Sequence, residues 1–425
     1  MAVDKNVLLL SYVFPPYPGI GGRRWAKFAK YMAKEGVNVH VVAANNPFDE
    51  KSNWMEDIEK KNLHVSYLPS NYPAVLLKQP RSIVDKLRYR VTDKLLGWLI
   101  KGNHYDRAAF WDKEVLKKSS ELIEQYKIRN IIATGAPFRV LYIAAKLKEK
   151  YPEINLISDY RDPWTNNKSL WDYDKLSPSK KEYELMMEEA VLKNSNHVIT
   201  VSENMTDYLK QLIPALDTSK FLTIQNGYDE ADLIEENQLN PENQDKKIKL
   251  VFAGSLYTHL EYIFFPFIDA LANLKKENKA LYSQLDISFY IGNLNQEYAD
   301  YLSKYELNIL RVYPFISLHE AHLKIKQSDY VMLFLNKDLT FSMSTKFFEY
   351  LAYKKPILVF SDYGNLASFV LTNNIGVHFS PENIKSNIES FLTDHSQGVN
   401  TFYQNFDVSP YSVNHQSKKI VDLLK

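Results

Sequence analysis

From Val7 to Phe360 the chain alternates short apolar runs, rich in Val, Ile and Leu, with longer stretches of helical periodicity. It does so in two series. The runs of the first are Val7–Val13, Val37–Ala43, His64–Leu68, Asn130–Thr134, Asn155–Asp159, His197–Val201 and Leu222–Ile224. Those of the second are Lys249–Ala253, Asp286–Ile291, Ile309–Tyr313, Tyr330–Leu335 and Ile357–Phe360. Strands apolar on both faces are covered on both, and helices between successive strands make them parallel. Ile234–Lys247, rich in Glu, Asn, Gln and Lys, reads as a linker or exposed loop between the series. At 425 residues the chain is long for a single core. The expected fold is therefore α/β, with two Rossmann-like doubly wound parallel-sheet domains facing across a cleft. The boundaries fall at residues 1–228 and 229–408, followed by a closing helix of about Ser412–Leu424 within 409–425.

Several function classes are set aside by composition. The net charge is +1, so no global field points to nucleic acid. Cysteine is absent, which excludes disulfides, thiol nucleophiles and Cys-ligated metals and fits a reducing compartment. Asp4 and Lys5 precede only the short apolar run Val7–Leu10, which reads as no signal peptide, and no stretch approaches a membrane span. His104, His259, His319 and His322 show no metal-ligand spacing, and no metal or cofactor is expected. The chain holds 29 Tyr and 22 Phe, which suits either sugar stacking or a simple bias of composition.

Ligands of open α/β sheets bind outside the carboxyl ends of strands, and the motifs fall there. After the first strand comes Phe14-Pro-Pro-Tyr-Pro-Gly-Ile-Gly21-Gly22-Arg23-Arg24. Its prolines bar helix until about Gly22, and a helix then runs to about Glu35 with Gly36 ending it. The glycines let a ligand approach the backbone. The spacing is not GxGxxG and no acidic residue follows suitably, so a nicotinamide site is not expected. A plain strand-to-helix loop is the alternative.

Thr134-Gly135-Ala136-Pro137-Phe138 and Asp159-Tyr160-Arg161-Asp162-Pro163-Trp164 follow two later strands. Asp159, Arg161 and Asp162 offer two carboxylates and a bidentate donor, suited to sugar hydroxyls, to charge on a leaving group, or to an Arg–Asp clamp that holds the loop. Gln225-Asn-Gly-Tyr-Asp229 is a turn. In Phe252-Ala-Gly254-Ser255-Leu-Tyr257, Gly254 and Ser255 offer phosphate donors or form an ordinary turn.

Ser342–Leu358 reads as a helix from about Ser344 to Tyr353 that runs into a buried strand. Ser344 and Thr345 are suitable N-caps. Lys346 puts a cation in the first turn, the wrong sign for the helix dipole unless an anion binds there. Glu349 follows one turn on, while Phe348, Leu351 and Ala352 face inward. A nucleoside diphosphate with its ribose fits this arrangement, and a surface ion pair is the alternative.

Val75–Gly102 differs in kind. It carries Lys78, Arg81, Lys86, Arg88, Arg90, Lys94 and Lys101 against Asp85 and Asp93. Ile83, Leu87, Val91, Leu95 and Trp98 form one helical stripe. This pattern suits an anionic membrane surface or a solvated helix packed on its own domain.

In this order the motifs resemble the GT-B glycosyltransferases, specifically the retaining family-4 group that builds bacterial polysaccharides and glycolipids. The carriers are residues 14–24, 106–111 (DRAAFW), 134–138, 159–164, 198–202 (VITVS), 225–229, 252–257 and 344–358, which together span nearly the whole chain. The resemblance implies a C-terminal domain for a nucleotide-sugar donor and an N-terminal domain for the acceptor. Glu349 would bind the ribose hydroxyls, and Ser344, Thr345 and Lys346 the diphosphate, with Gly254 and Ser255 nearby. Gly21 and Gly22 would let the donor lie against the first helix. Arg23, Gly135 and Phe138 would stand on the acceptor side. The catalytic group would be Asp159, Arg161, Asp162 and Lys346, with a hinge at Asn226–Asp229 and the last helix returning to the N-terminal domain.

Two departures stand out. The family often has a second glutamate, separated by seven residues, ahead of the ribose one; that position is Phe341. It also often has a basic pair after the second domain's glycine turn, where His259 is the one candidate cation. The resulting expectation is a metal-independent, retaining glycosyltransferase on the cytoplasmic face of the plasma membrane. It would act on a saccharide or lipid-linked acceptor. The alternatives are a nucleotide-sugar 2-epimerase of GT-B fold and a decayed transferase acting as a partner subunit.

Overall fold

A computed structural model describes residues 5–166, 173–234, 247–256, 259–292, 294–337, 343–399 and 401–425. The chain forms two units, residues 1–226 with 413–425 and residues 227–412.

The first unit begins β1 (Asn6–Leu10), α1 (Arg23–Lys34), β2 (Asn38–Ala44), α2 (Met55–Ile58), β3 (Leu63–Leu68), α3 (Ile83–Leu99) and α4 (Asp112–Tyr126). It continues β4 (Asn130–Gly135), α5 (Arg139–Lys150), β5 (Asn155–Tyr160), α6 (Pro178–Asn194), β6 (His197–Thr200), α7 (Glu203–Leu212) and β7 (Phe221–Thr223). These strands make one parallel sheet in the order β3-β2-β1-β4-β5-β6-β7, with Val7 opposite Asn130 and Asn6 opposite Asn38. The order reverses between β1 and β4. Loops leaving those two strands therefore diverge and open a crevice at the carboxyl edge.

β1 stops at Leu10, short of the expected Val13, because the chain turns at Ser11, whose hydroxyl donates to the Val13 carbonyl. Prolines hold the following loop out of helix until a 3-10 turn at Ile20–Gly22, which leads into α1 with Gly22 as its N-cap. α1 then buries Trp25, Phe28, Ala29 and Met32 against Val7, Leu9, Val39 and Val41. It ends where Gly36 takes a φ of +83°, a conformation glycine adopts without strain.

The second unit runs β8 (Ile248–Ala253), α8 (Glu261–Glu277), α9 (Lys279–Ser283), β9 (Leu285–Tyr290), α10 (Gln296–Ser303), β10 (Leu310–Tyr313) and α11 (Leu318–Gln327). Then follow β11 (Tyr330–Phe334), α12 (Thr345–Ala352), β12 (Ile357–Phe360), α13 (Asn365–Thr372), β13 (Gly376–Phe379) and α14 (Ile384–Ser396). Its sheet is also all parallel, in the order β10-β9-β8-β11-β12-β13, and reverses between β8 and β11. The doubly wound parallel sheets expected from the alternation are thus present in both units.

The sequence reading did not anticipate β13. It is four residues long and opens with Gly376, where a Cβ would overlap the Ile357 carbonyl of β12. Part of the phenylalanine abundance is structural. Phe252, Phe264, Phe267, Phe289, Phe334 and Phe360 pack one face of this sheet, with Phe334 and Phe360 stacked at 4.6 Å.

The last helix, α15 (Val413–Val421), packs on α1 in the first unit, with Val413, Ile420 and Leu424 in its core. Asn155 donates to the Leu423 carbonyl at 2.8 Å, and the Lys425 amide donates to Asn130 at 2.9 Å. Residues 235–246 of the expected linker, Phe341 and Tyr257 lie outside the described residues.

Candidate functional site

In the second unit the site residues gather where the strand order reverses. β8 ends at Ala253, and Gly254 follows with a φ of +141°. Lys346 comes from the first turn of α12, whose N-cap Ser344 makes no side-chain cap hydrogen bond and whose first turn holds no acidic residue. Its ammonium lies 4.9 Å from the centre of the Phe252 ring. A Cβ on Gly254 would overlap Nζ and Cε of Lys346, so the lysine reaches this position because residue 254 is glycine. Burial pushes the Lys346 pKa down to about 8, with Glu349 acting in the opposite direction. Gly254, Ser255, Ser344, Thr345 and Lys346 are thereby brought to one edge of the sheet, as an uncapped helix start with a poorly hydrated cation beside a glycine turn.

Glu349 sits one turn further along α12. His322 of α11, which is buried, holds Nε2 at 3.9 Å from the Glu349 carboxylate. His322 Nδ1 lies 2.9 Å from the Asp232 carbonyl. A carbonyl only accepts, so Nδ1 donates, and Nε2 is the ring nitrogen that faces Glu349. Sequence spacing gave no hint of this histidine, since its partner lies on another helix. A shallow, open recess lies at the carboxyl ends of β11 and β12, lined by Tyr262, Lys337, Asp362, Gly364, Asn365 and Leu366 among others.

The first unit arranges its loops through a buried carboxylate. Asp159 is 0% exposed, and its oxygens accept from Arg24 Nη2 at 3.0 Å, Trp25 Nε1 at 2.6 Å and Thr134 Oγ1 at 2.8 Å. Arg24 also donates to Asn226 Oδ1 at 3.1 Å and to the Ile224 carbonyl at 2.7 Å. The expectation that Asp159 contacts a sugar or leaving group is corrected by this geometry. Its carboxylate is consumed by three protein donors and fastens α1, β4 and the end of β7 together.

Arg161 is likewise turned inward. It donates to the carbonyls of Gly135 (2.8 Å), Ala136 (2.6 Å) and Gly21. The guanidinium thus clamps the glycine loop after β1 to the loop after β4, through backbone carbonyls and not through an acid of its own motif. Asp162 is half-buried; among the described residues no hydrogen bond reaches its carboxylate. Burial raises its pKa, while Arg161 pulls it the other way. Of the motif's two acids, Asp162 is the one whose carboxylate is not taken up by protein donors among the described residues.

Phe138 is buried and stacks on Trp164 at 5.3 Å. Gly135 is buried at the end of β4, where a Cβ would crowd Phe138 and Leu141. Arg23 is buried in α1 and Gly22 is buried beneath the loop, whereas Gly21 is half-buried beside Arg161. Asp106, in the DRAAFW stretch, accepts from the amides of Phe138 (2.8 Å) and Arg139 (3.0 Å) and so occupies the start of α5. Arg24, Trp25, Thr134 and Asp106 escaped sequence reasoning because their partners are remote in the chain.

No family model matches the chain, and no curated protein does. Solved structures match over nearly all of it. A sucrose-phosphate synthase from Thermosynechococcus elongatus is 14% identical, with TM-score 0.57, covering 99% of this chain and 95% of its own. The N-terminal domain of a Candida albicans trehalose-6-phosphate phosphatase is 12% identical, with TM-score 0.62, covering 99% and 97%. A UDP-N-acetylglucosamine 2-epimerase is 11% identical, with TM-score 0.55, covering 99% and 95%. Identities this low speak to architecture. The two doubly wound parallel-sheet units are the GT-B fold.

Proposed function

We propose that this chain is a retaining glycosyltransferase of the family-4 type, taking its donor as a nucleotide sugar on the second unit. The observation that carries the reading is the half-buried Lys346 ammonium, held over Gly254 at the uncapped start of α12. A cation there is unfavourable in the empty protein and favourable once a diphosphate arrives. Lys346 and the helix start would take the charge that develops as the diphosphate leaves, with Ser344, Thr345, Gly254 and Ser255 around it. Glu349 would accept hydrogen bonds from the ribose hydroxyls. On the first unit Asp162 would accept from a sugar hydroxyl. Asp159 and Arg161 act as positioning residues for the loops that carry Gly21, Gly135 and Phe138, with Arg23 in the helix behind them. No metal or cofactor is assigned a part. The acceptor class is a saccharide or lipid-linked hydroxyl, and a lipid-linked one would bring the enzyme to the inner face of the plasma membrane.

Calorimetric titration with uridine, guanosine, adenosine and cytidine diphosphates tests this. At least one is expected to bind wild type and to lose binding in Lys346→Met. No binding by any of the four would sink the reading. The GT-B epimerase among the similar structures supplies the rival. Incubation with the bound nucleotide's sugar conjugates and no acceptor is expected to leave the sugar's configuration unchanged. Conversion to the 2-epimer would assign the chain to that chemistry instead.

A further inference from the structure

Helix α3 turns its apolar face outward. Ile83, Leu87, Val91, Leu95 and Trp98 share one stripe, and all five are exposed, Ile83 to 86% and Trp98 to 82%. Leu96 is the buried residue of this 17-residue helix. At about 100° per residue, Asp93, Leu96 and Ile100 fall on the side opposite the stripe, and that side is the attached one. Asp93 pairs with His104 Nε2 at 2.9 Å, and Ile100 is buried. The stripe is therefore not a core-facing surface turned by chance. Single exposed apolar residues are ordinary, whereas an unbroken run along a helix marks an interaction surface.

Charge decides what covers it. Arg90 and Lys94 border one edge of the stripe and Arg88 the other, and all three are exposed. The two acids of the helix are committed elsewhere. Asp85 closes the capping box with Ser82, and Asp93 is held by His104. Among the described residues no salt bridge involves Lys86, Arg88, Arg90, Lys94 or Lys101. A second copy laid on this face would oppose cation to cation. An anionic lipid surface supplies both complements, acyl chains for the stripe and phosphates for its cationic borders, at a depth where a tryptophan ring is favoured.

We propose that α3 docks the protein on a bilayer of anionic lipid, lying in the interface plane with Ile83, Leu87, Val91, Leu95 and Trp98 inserted. The proposal rests on the exposure and charge of α3, not on the transferase reading.

Co-sedimentation with vesicles of equal parts phosphatidylcholine and phosphatidylglycerol tests it, against phosphatidylcholine alone. Wild type is expected to bind the anionic vesicles and to release as salt is raised. The combined Lys86→Glu, Arg88→Glu, Arg90→Glu, Lys94→Glu variant is expected to bind at least about tenfold more weakly, and Leu87→Ser with Trp98→Ser to lose binding. These side chains are exposed, so an unchanged melting temperature accompanies both results. Trp98 supplies a second signal. Trp25, Trp54, Trp111 and Trp164 are buried, and a blue shift on vesicles that disappears in Trp98→Phe is expected. Equal binding to both vesicle types, or none by wild type, overturns the proposal. A concentration-dependent dimer that Trp98→Ser abolishes would hand the stripe to a second copy and overturn it equally. Vesicle binding without nucleotide binding would keep this proposal and sink the transferase.

Discussion

An ammonium group that gives up hydration needs compensation, and for Lys346 the Phe252 ring and Glu349 supply less than burial removes. Burial holds its pKa at about 8, below the ordinary lysine value of 10.5. Between those two values the unfolded chain keeps a proton that the folded one has shed, so stability rises with pH across that window. At neutral pH the charged lysine therefore costs stability. Lys346→Met is expected to raise the melting temperature at pH 7 while abolishing nucleoside diphosphate binding. A lower melting temperature would mean that the ammonium is a structural partner. In wild type, diphosphate affinity is expected to fall as pH rises through about 8, read by titration at several pH values, because the free protein must then take up a proton to bind.

Glu349 gives a complementary test. Glu349→Ala is expected to abolish transfer with little change in melting temperature, since the side chain is half-buried at the rim of α12 and not in its core-facing row of Phe348 and Leu351. Near-wild-type turnover in that variant would remove the ribose assignment. That Lys346 and Glu349 lie a turn apart at the start of α12 was legible from sequence, because a misplaced charge in a helix's first turn is a local signal. Asp159 looked the same on paper as Asp162, three residues on. Only the fold shows that Arg24, Trp25 and Thr134 reach the first and leave the second, and those contacts span 25 to 135 residues of chain.

Among elements, those stated by periodicity were readable and those defined by close approach were not. The sheets follow from runs apolar on both faces, and α12 from its apolar face and its hydroxyl-bearing start. β13 did not announce itself, because Gly376 serves proximity to β12 and resembles a breaker in the sequence. The start of α5 illustrates a further device invisible to local reading. Asp106 lies more than thirty residues upstream and still takes the amide protons of Phe138 and Arg139. Burial raises its pKa to about 6, with Arg139 opposing. Asp106→Ala is expected to destabilise the protein by about 1–2 kcal/mol through loss of this cap, and more if the two buried amides find no water. Urea unfolding measures it. An unchanged midpoint would show the cap to be dispensable.

At the scale of the whole molecule the chain enters the second unit after residue 226 and returns to the first at residue 413. The return inserts Val413, Ile420 and Leu424 into the core beneath α1. It also satisfies buried amide groups of Asn130 and Asn155 at the base of β4 and β5. Fully burying such apolar side chains contributes about 1.5–3 kcal/mol each, so three of them amount to a sizeable part of one domain's margin. α1 also carries Arg24 and Trp25, the residues that fasten Asp159. Removing residues 413–425 is therefore expected to melt the first unit at markedly lower temperature and to loosen the loops that present Asp162. The second unit holds its own sheet, and Gly254 and Lys346 both belong to it. In the truncated chain a nucleoside diphosphate that binds wild type is expected to bind still, and to raise only the higher of two calorimetric transitions, since a ligand stabilises the body that holds it. A single transition that the ligand raises as a whole would show that the two units unfold as one, and loss of binding on truncation would place part of the donor site outside the second unit.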